Sequence, residues 1–224
     1  MRIVLFGPPG VGKGTQARLL AERRGLAHIS TGVILRQAMR DDTPVGREAR
    51  DYVNAGRLVP GAIVRKLAED AIARNGYDNF VLDGYPRTLE QAAWLQAFLE
   101  AHEAPLHAVL SLQVPDEVIV DRLSKRRVHR ETGENFHLDF KPPPEGIDPA
   151  LIVQRPDDRP EAIRKRLEVY RAETSPVEQF YETRGLLYRI DGVGSFEDVY
   201  RRIVNLLERV VSPEPGRVGK SGTV

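Results

Sequence analysis

Short apolar runs alternate with amphipathic stretches along most of the chain. The runs RIVLF, NFVLDG, HAVLSLQV and LLYRID each precede a helical pattern: GKGTQARLLAERRG, TLEQAAWLQAFLEAH, DEVIVDRLSKRR and SFEDVYRRIVNLLERVV. A nearly all-apolar run that stops at a glycine is typical of a buried strand in a parallel sheet. The alternation therefore predicts an α/β fold with a parallel sheet between helices. Ligands of such folds gather at the carboxyl ends of the strands, where Gly7, Asp83 and Asp191 lie.

One departure from the alternation is residues 30–60, STGVILRQAMRDDTPVGREARDYVNAGRLVP. The pattern predicts two successive helices, with Pro44 at the start of the second and Gly56 at its end. This segment reads as a small helical insert.

The other departure is residues 128–158, which carry a triple proline and no helical period. A connection of this length inside a compact domain is usually a lid or disordered. Val128, Phe136, Leu138 and Phe140 alternate with polar residues, which favours a small folded β lid with these side chains packed inside it. The proline- and glycine-rich residues 212–224 are typical of a frayed end.

The composition is that of a globular protein, and its balanced charge means that any basic binding site must be local. The 224 residues are 41% hydrophobic and 29% charged, and 33 basic residues balance 32 acidic ones. This balance gives no overall field to attract nucleic acid or membranes, and no apolar run approaches the roughly 20 residues of a membrane span. The absence of cysteine excludes disulfides, thiol catalysis and thiolate zinc sites, so any metal should be a hard ion. Met1 leads directly into the first strand, and we expect a soluble, cytoplasmic protein without an export signal.

The stretch GPPGVGKGT, residues Gly7 to Thr15, fits the phosphate-loop pattern between a strand and a helix. Backbone N–H groups of such a loop surround an anion, and Lys13 reaches the outer phosphates. The next residue is Gly14, where a magnesium-binding hydroxyl is usual. A carboxylate at the end of the FVLD strand, Asp83, offers another contact to the metal or its waters. The alternative for Asp83 is a helix cap or a turn residue.

Four arginines flank the predicted lid. The helical pattern places Arg122 and Arg126 on one helix face, where they repel each other unless an anion lies between them. Arg155 and Arg166 flank the helix start at RPDDRPEAIRKRL. Taken alone, each arginine is more typical of a solvated surface position. Closure of the lid, however, would bring all four over one site.

Six motifs in order, GPPGVGKGTQ, STGVILR, AGRLVP, LDGYPRTLEQA, DRLSKRRVH and QRPDDRPEAIRKRL, resemble the adenylate kinase family over residues 1 to about 210. A glycine after the loop lysine is the rule in that family. The resemblance implies a P-loop NTPase three-layer sandwich, formed by residues 1–29, 61–127 and 159–211. It also implies a helical AMP-binding insert over residues 30–60 and a small β lid over residues 128–158. The implied reaction is reversible, Mg²⁺-dependent transfer of the ATP γ-phosphoryl group to AMP, giving two ADP.

The resemblance also implies a role for individual residues. Catalytic residues would be Lys13, Arg87, Arg122, Arg126, Arg155 and Arg166. ATP would contact Gly10, Val11, Gly12, Lys13, Gly14, Thr15, Arg122, Arg126, Asn135, Phe136 and Gly194. AMP would contact Thr31, Arg36, Arg57, Leu58, Val59, Gly84, Tyr85, Pro86, Arg87, Gln91, Arg155 and Arg166. Asp83 would support Mg²⁺ through water, and the partners would be ATP, AMP and ADP, with no nucleic acid or membrane.

The chain departs from the family pattern at two places. Val33 stands where the family usually has an acidic residue that supports the metal waters, so we expect Asp83 to carry this role alone. Where some relatives hold zinc through four cysteines, this chain has His129, Thr132 and Asp148. We therefore expect a polar network and no structural zinc, and we expect His137 to serve lid packing.

The sequence leaves two other functions open. The first is that of a related kinase acting on UMP or CMP, although Thr31 and the long lid favour AMP. A nucleotide-dependent switch that uses the loop without phosphoryl transfer is the other. We expect a monomer, because nothing in the apolar pattern requires a partner.

Overall fold

The four apolar runs form strands, and a fifth strand joins them in one parallel sheet. The computed structural model describes residues 1–211, so the predicted frayed end, residues 212–224, lies outside the described part. The strands are β1 Arg2–Phe6, β2 Ala27–Ser30, β3 Phe80–Asp83, β4 Ala108–Gln113, β5 Arg126–His129, β6 Asn135–His137, β7 Ile152–Val153 and β8 Leu187–Asp191. The central sheet has the order β2-β3-β1-β4-β8, with Val4 of β1 opposite Leu82 and Val109.

Helices cover both faces of this sheet. They are α1 Lys13–Arg24, α2 Thr31–Arg40, α3 Pro44–Asn54, α4 Gly61–Arg74, α5 Leu89–Ala101, α6 Asp116–Ser124, α7 Pro160–Val169, α8 Pro176–Glu182 and α9 Phe196–Val211. Short 3₁₀ helices span Pro149–Leu151 and Pro156–Asp158, and a π-helix spans Tyr170–Thr174. None of these helices combines the length and apolar character needed to cross a membrane.

Alternation along β1 divides the interior into two apolar cores. Val4 and Phe6 point to one core, which α4, α5 and α8 complete, whereas Ile3 and Leu5 point to the other, completed by α1 and α9. Successive side chains of a strand face opposite sides. Because both sides of the sheet are covered, every position of this strand after Arg2 is apolar and buried. The predicted three-layer arrangement is confirmed.

The two successive helices predicted for residues 30–60 are present, as α2 and α3. Thr43 caps α3 by accepting a hydrogen bond from Gly46 N at 3.1 Å, and Pro44 occupies the first helical turn. Gly56 adopts a left-handed conformation with φ of 68° just after the helix, as helix ends commonly require. The insert packs on the core through contacts of α2 with α4.

The segment predicted to be a lid contributes to a small antiparallel sheet of order β6-β5-β7. Val128 and Phe136 are buried in it as predicted. Leu138 and Phe140 are 46% and 66% exposed, so the prediction that they pack inside the lid is wrong. The reason is that β6 ends at His137, and the chain then turns, so the alternation no longer refers to a sheet face.

Candidate active site

The loop between β1 and α1 has the backbone shape of a phosphate cradle. Gly10 and Gly12 have φ of 82° and 109°, a left-handed region that other residues rarely adopt. Lys13 Nζ donates to the carbonyl oxygens of Gly7 at 2.7 Å and Pro8 at 2.9 Å. The lysine therefore folds back over the loop, at the N-terminus of α1, where anions bind.

The surroundings of Lys13 disfavour its charged form. Burial lowers the pKa of its ammonium group to about 7, and the nearby Arg87, Arg166 and Arg126 act in the same direction. The carboxylate of Asp83 opposes them. A bound phosphate would restore the charged form, because an opposite charge raises the pKa of a lysine.

Asp83 ends β3 beside this loop and is held from two sides. Ser30 Oγ donates to Asp83 Oδ2 at 3.2 Å, and His28 Nε2 lies 3.5 Å from the same oxygen. Burial opposes the charged form of Asp83, but His28 and the charge of Lys13 outweigh it and hold the pKa of the carboxyl below its ordinary value. The sequence analysis did not predict a role for His28, because a single histidine in a short strand forms no distinctive motif.

The position of Asp83 explains the unusual Gly14. A Cβ on Gly14 would lie 3.4 Å from Asp83 Oδ2, so any longer side chain would occupy the space beside the carboxylate. Thr15 lies one residue further along α1 and is exposed. In this loop a carboxylate from β3 stands where a hydroxyl on α1 is usual.

A pocket opens between α2, α3 and the core, beside the phosphate loop. Its lining includes most of the residues predicted for AMP: Thr31, Arg36, Arg57, Leu58, Val59, Gly84, Arg87, Gln91 and Arg166. Three predicted residues, Tyr85, Pro86 and Arg155, are not among the lining residues. The ring of Tyr85 is 1% exposed and packs in the core, and Pro86 is buried as well.

Gln91 is oriented within this pocket by the backbone. Its Oε1 accepts a hydrogen bond from Arg87 N at 2.8 Å, and Thr88 caps α5 by accepting from Gln91 N. The amide Nε2 is the donor left to face a ligand. Gly61, at the start of α4, separates this amide from the ring of Trp94: a Cβ there would lie 3.7 Å from Gln91 Nε2 and 3.4 Å from the ring.

A buried acidic pair holds two of the predicted arginines at the base of the lid. Arg126 Nε donates to Asp158 Oδ2 at 2.7 Å, and Arg166 Nη1 lies 3.2 Å from Asp158 Oδ1 and 3.0 Å from Asp157 Oδ2. The side chain of Asp158 is 0% exposed. The sequence analysis assigned no role to either aspartate, because adjacent acidic residues such as these are more often solvated.

Arg122 and Arg126 do not share a helix face, so that prediction is wrong. α6 ends at Ser124, and Arg126 begins β5, where pairing with β6 replaces the helical period. Arg122 instead donates to Val11 O at 3.1 Å and Gly192 O at 3.2 Å. It ties the phosphate loop to the loop after β8, which also contains the predicted Gly194.

The phosphate loop and the pocket beside it share a cleft with excess positive charge. Six cationic side chains interact there with three carboxylates. The cations are Lys13, Arg36, Arg87, Arg126, Arg155 and Arg166, and the carboxylates are Asp83, Asp157 and Asp158. Burial lowers the pKa of Arg36 to about 10. Clustered cations in excess of the nearby carboxylates make a site for a polyanion.

Comparison with known proteins decides the family. The family model of adenylate kinase matches residues 5–186. An adenylate kinase from Salinibacter ruber is 59% identical over 208 residues, which are 93% of this chain and 98% of that protein. Adenylate kinases from Carboxydothermus hydrogenoformans and Chloroherpeton thalassium are 41% and 42% identical over 214 residues, covering 93% and 92% of this chain and 100% and 98% of theirs.

The chain belongs to the adenylate kinase family. It is a nucleoside monophosphate kinase that moves a phosphoryl group between ATP and AMP, and the predicted family, fold class and activity are confirmed.

Local polar contacts surround His129 and Asp148, two of the residues for which a polar network is predicted. His129 Nδ1 accepts from Glu131 N at 3.3 Å and from Thr132 N at 3.2 Å, and Asp148 Oδ1 accepts from Ala150 N at 2.9 Å. Among residues 1–211, no group of three or more histidine, aspartate or glutamate side chains is arranged to hold a metal ion. The absence of structural zinc stays a prediction, which metal analysis of the purified protein tests.

His137 and Phe136 lie on β6, beneath the lid surface. His137 Nδ1 accepts from Asp139 N at 3.2 Å, and its ring lies 4.7 Å from the ring of Phe140. Phe136 is 2% exposed, and the ammonium of Lys141 lies 5.2 Å from its ring centroid. Both side chains thus contact neighbours within the same short segment, and the packing role of His137 stays a prediction.

Proposed function

We propose that this adenylate kinase transfers the γ-phosphoryl group directly and in line from ATP to a phosphate oxygen of AMP. The observation that carries the proposal is the excess of positive charge between the phosphate loop and the pocket beside it. Such transfer needs no protein nucleophile, because positioning and electrostatic stabilisation supply the catalysis. Among the cationic side chains, Lys13, Arg87, Arg126, Arg155 and Arg166 would surround the group in transfer.

The ATP side is built from the phosphate loop and the lid. Residues 10–15 would wrap the phosphates with backbone N–H groups, and Lys13 would leave its carbonyl contacts to meet them. Arg122 would act through its hold on the loop after β8, where Gly194 would border the base. In this proposal residues 128–158 form the lid and residues 30–60 the AMP-binding insert, on a core of residues 1–29, 61–127 and 159–211. Closure of both excludes water, the competing acceptor.

Gln91 would select adenine in the AMP pocket. Because its Oε1 already accepts from Arg87 N, its Nε2 presents a donor to the base. Adenine offers a ring-nitrogen acceptor at N1, whereas the corresponding ring nitrogens of guanine and uracil carry hydrogen. The orientation of this single amide therefore favours AMP over GMP and UMP.

The residues beside the loop fit a magnesium ion held through water. Asp83 is ionised and fixed by Ser30, and oxygen donors with several retained waters suit this ion. Magnesium bound with ATP would neutralise charge that develops on the phosphates. Val33, 49% exposed at the first turn of α2, supplies no carboxylate, so Asp83 would carry the support alone.

A direct assay tests the proposal against its rivals. ATP is mixed with AMP, UMP, CMP or GMP, and ADP formation is measured together with ATP loss in the absence of any acceptor. We expect rapid ADP formation with AMP, slow formation with the other three, and little ATP loss alone. Preference for UMP or CMP would support the related kinase, and ATP hydrolysis without transfer would support a switch. Lys13→Met should remove transfer while the far-UV circular dichroism spectrum is retained.

We also expect a monomeric, cytoplasmic enzyme without nucleic-acid or membrane partners. Light scattering coupled to size-exclusion chromatography tests the oligomeric state. A mass near twice the 25.1 kDa of one chain would contradict it.

A further inference from the structure

Arg155 differs from the other arginines at the base of the lid in its partners. Arg126 and Arg166 are ion-paired with buried carboxylates. Arg155 is 9% exposed, and within residues 1–211 its single side-chain hydrogen bond runs from Nη2 to Asn135 Oδ1. Its Nε is buried without a partner. A buried guanidinium is thus held by a neutral amide.

The surroundings leave the charge of Arg155 uncompensated. Burial lowers its pKa, and the charges of Arg36 and Arg126 add to this effect. Asp157 and Asp158 act in the opposite direction, but both are already bonded to other arginines. Buried charges are normally paired, so the arrangement leaves Arg155 available to an incoming anion.

Asn135 is placed to reach Arg155 by the lid sheet. It begins β6 opposite Val128 of β5, and its carbonyl oxygen accepts from Lys141 Nζ at 3.4 Å. Lys141 also pairs with Glu134 at 2.7 Å. Strand β6 therefore carries an amide that bonds to Arg155, which lies two residues after β7.

We propose that Asn135 is a positioning residue that fixes the guanidinium of Arg155 for the transferring phosphate while leaving its positive charge free. This inference rests on the phosphoryl transfer proposed above and replaces direct ATP contact as the main role of the Asn135 side chain. An amide suits the role because it accepts a hydrogen bond without adding charge. A carboxylate at position 135 would accept the same hydrogen bond but would neutralise the charge of Arg155. An aliphatic side chain would accept no hydrogen bond.

Three variants separate these contributions. Asn135→Leu removes the acceptor, Asn135→Asp keeps it and adds a negative charge, and Asn135→Ser keeps a shorter acceptor. Glu134→Gln is the matched control, because that side chain bonds to Lys141 and not to the arginine cluster. For each protein, kcat, KM for ATP and for AMP, and the unfolding temperature without ligand are measured.

The proposal predicts opposite movements of stability and turnover in one variant. Asn135→Asp should raise the unfolding temperature, because it pairs a buried charge, and lower kcat by about tenfold or more, because it occupies Arg155. Asn135→Leu should lower kcat by a similar factor with KM for AMP within about twofold, and Asn135→Ser should recover part of the rate. A merely structural role would move unfolding temperature and kcat together in Asn135→Asp.

The outcomes are distinguishable from failure of the proposed function. If the wild type and Glu134→Gln form no ADP, phosphoryl transfer itself is refuted. If both are active, and Asn135→Leu and Asn135→Asp keep kcat within about twofold of theirs, the positioning role is overturned. A parallel loss of unfolding temperature and kcat in Asn135→Asp overturns it as well. Should Asn135→Leu fail to fold, the comparison of Asn135→Asp with Asn135→Ser still decides the question.

Discussion

Binding of ATP should draw a proton onto Lys13. Burial among arginines lowers the pKa of this lysine to about 7 in the ligand-free protein, so at pH 8 about 0.9 of the molecules carry a neutral amine. The phosphates of ATP at the loop would favour the charged form. The protein should therefore take up a proton from the buffer as the nucleotide binds.

The magnitude follows from Coulomb's law. One negative charge about 4 Å from the amine contributes roughly 4 kcal/mol at an effective dielectric constant near 20, which is about 3 pKa units. This shift would place the pKa near 10 in the complex and keep Lys13 charged at pH 8. Uptake should thus approach about 0.9 protons per ATP at pH 8 and fall to about 0.1 at pH 6.

Isothermal titration calorimetry measures this uptake directly. ATP is titrated with magnesium and without AMP in two phosphate-free buffers that differ in ionisation enthalpy, and the difference in binding heat gives the number of protons. Lys13→Arg is the control, because its guanidinium stays charged at every pH used and should remove the uptake. Equal uptake by the wild type and this variant at pH 8 would refute the assignment of a neutral lysine.

Three further perturbations test the site. Asp158→Asn removes the charge that two arginines share and should lower the free energy of unfolding in urea by about 3–5 kcal/mol, whereas Asp139→Asn, at an exposed pair, should leave it unchanged. Val33→Asp should lower the Mg²⁺ concentration for half-maximal rate, and an unchanged value would refute the hypothesis that the lack of a carboxylate at Val33 alters magnesium use. Arg87→Ala should reduce turnover by about 10³-fold or more with the circular dichroism spectrum retained; near-normal turnover would contradict its catalytic role.

The sheet was predictable where the strands are mostly apolar. β1, β3, β4 and β8 were all evident from their runs, but β2 was not, because AHIS is half polar, whereas β3 is equally short but has three apolar residues. Its place at the sheet edge depends on pairing with β3, a tertiary contact that periodicity cannot show. Thus His28 and Ser30, which flank Asp83, were missed together with their strand.

The candidate site was predictable where the backbone dictates it. The glycine loop and the carboxylate at a strand end follow from local sequence. The sequence identified arginines as phosphate-binding candidates but did not predict their arrangement correctly. The helical pattern of DRLSKRR continues through Arg126, and only the pairing with β6 shows that a strand begins there. The ion pairs of Asp157 and Asp158 with arginines were recognised only in the structure, because a solvated acidic pair and a buried one look the same in sequence.

The ion pair at the base of the lid places both ends of that segment at one point. β5 begins with Arg126, and the chain returns at Asp158, whose carboxylate is bonded to that same arginine. A segment whose ends coincide can change length without disturbing the order of the strands that carry it. We therefore expect that the residues between Arg126 and Asp158 can be replaced by a segment of different length while the central sheet is retained.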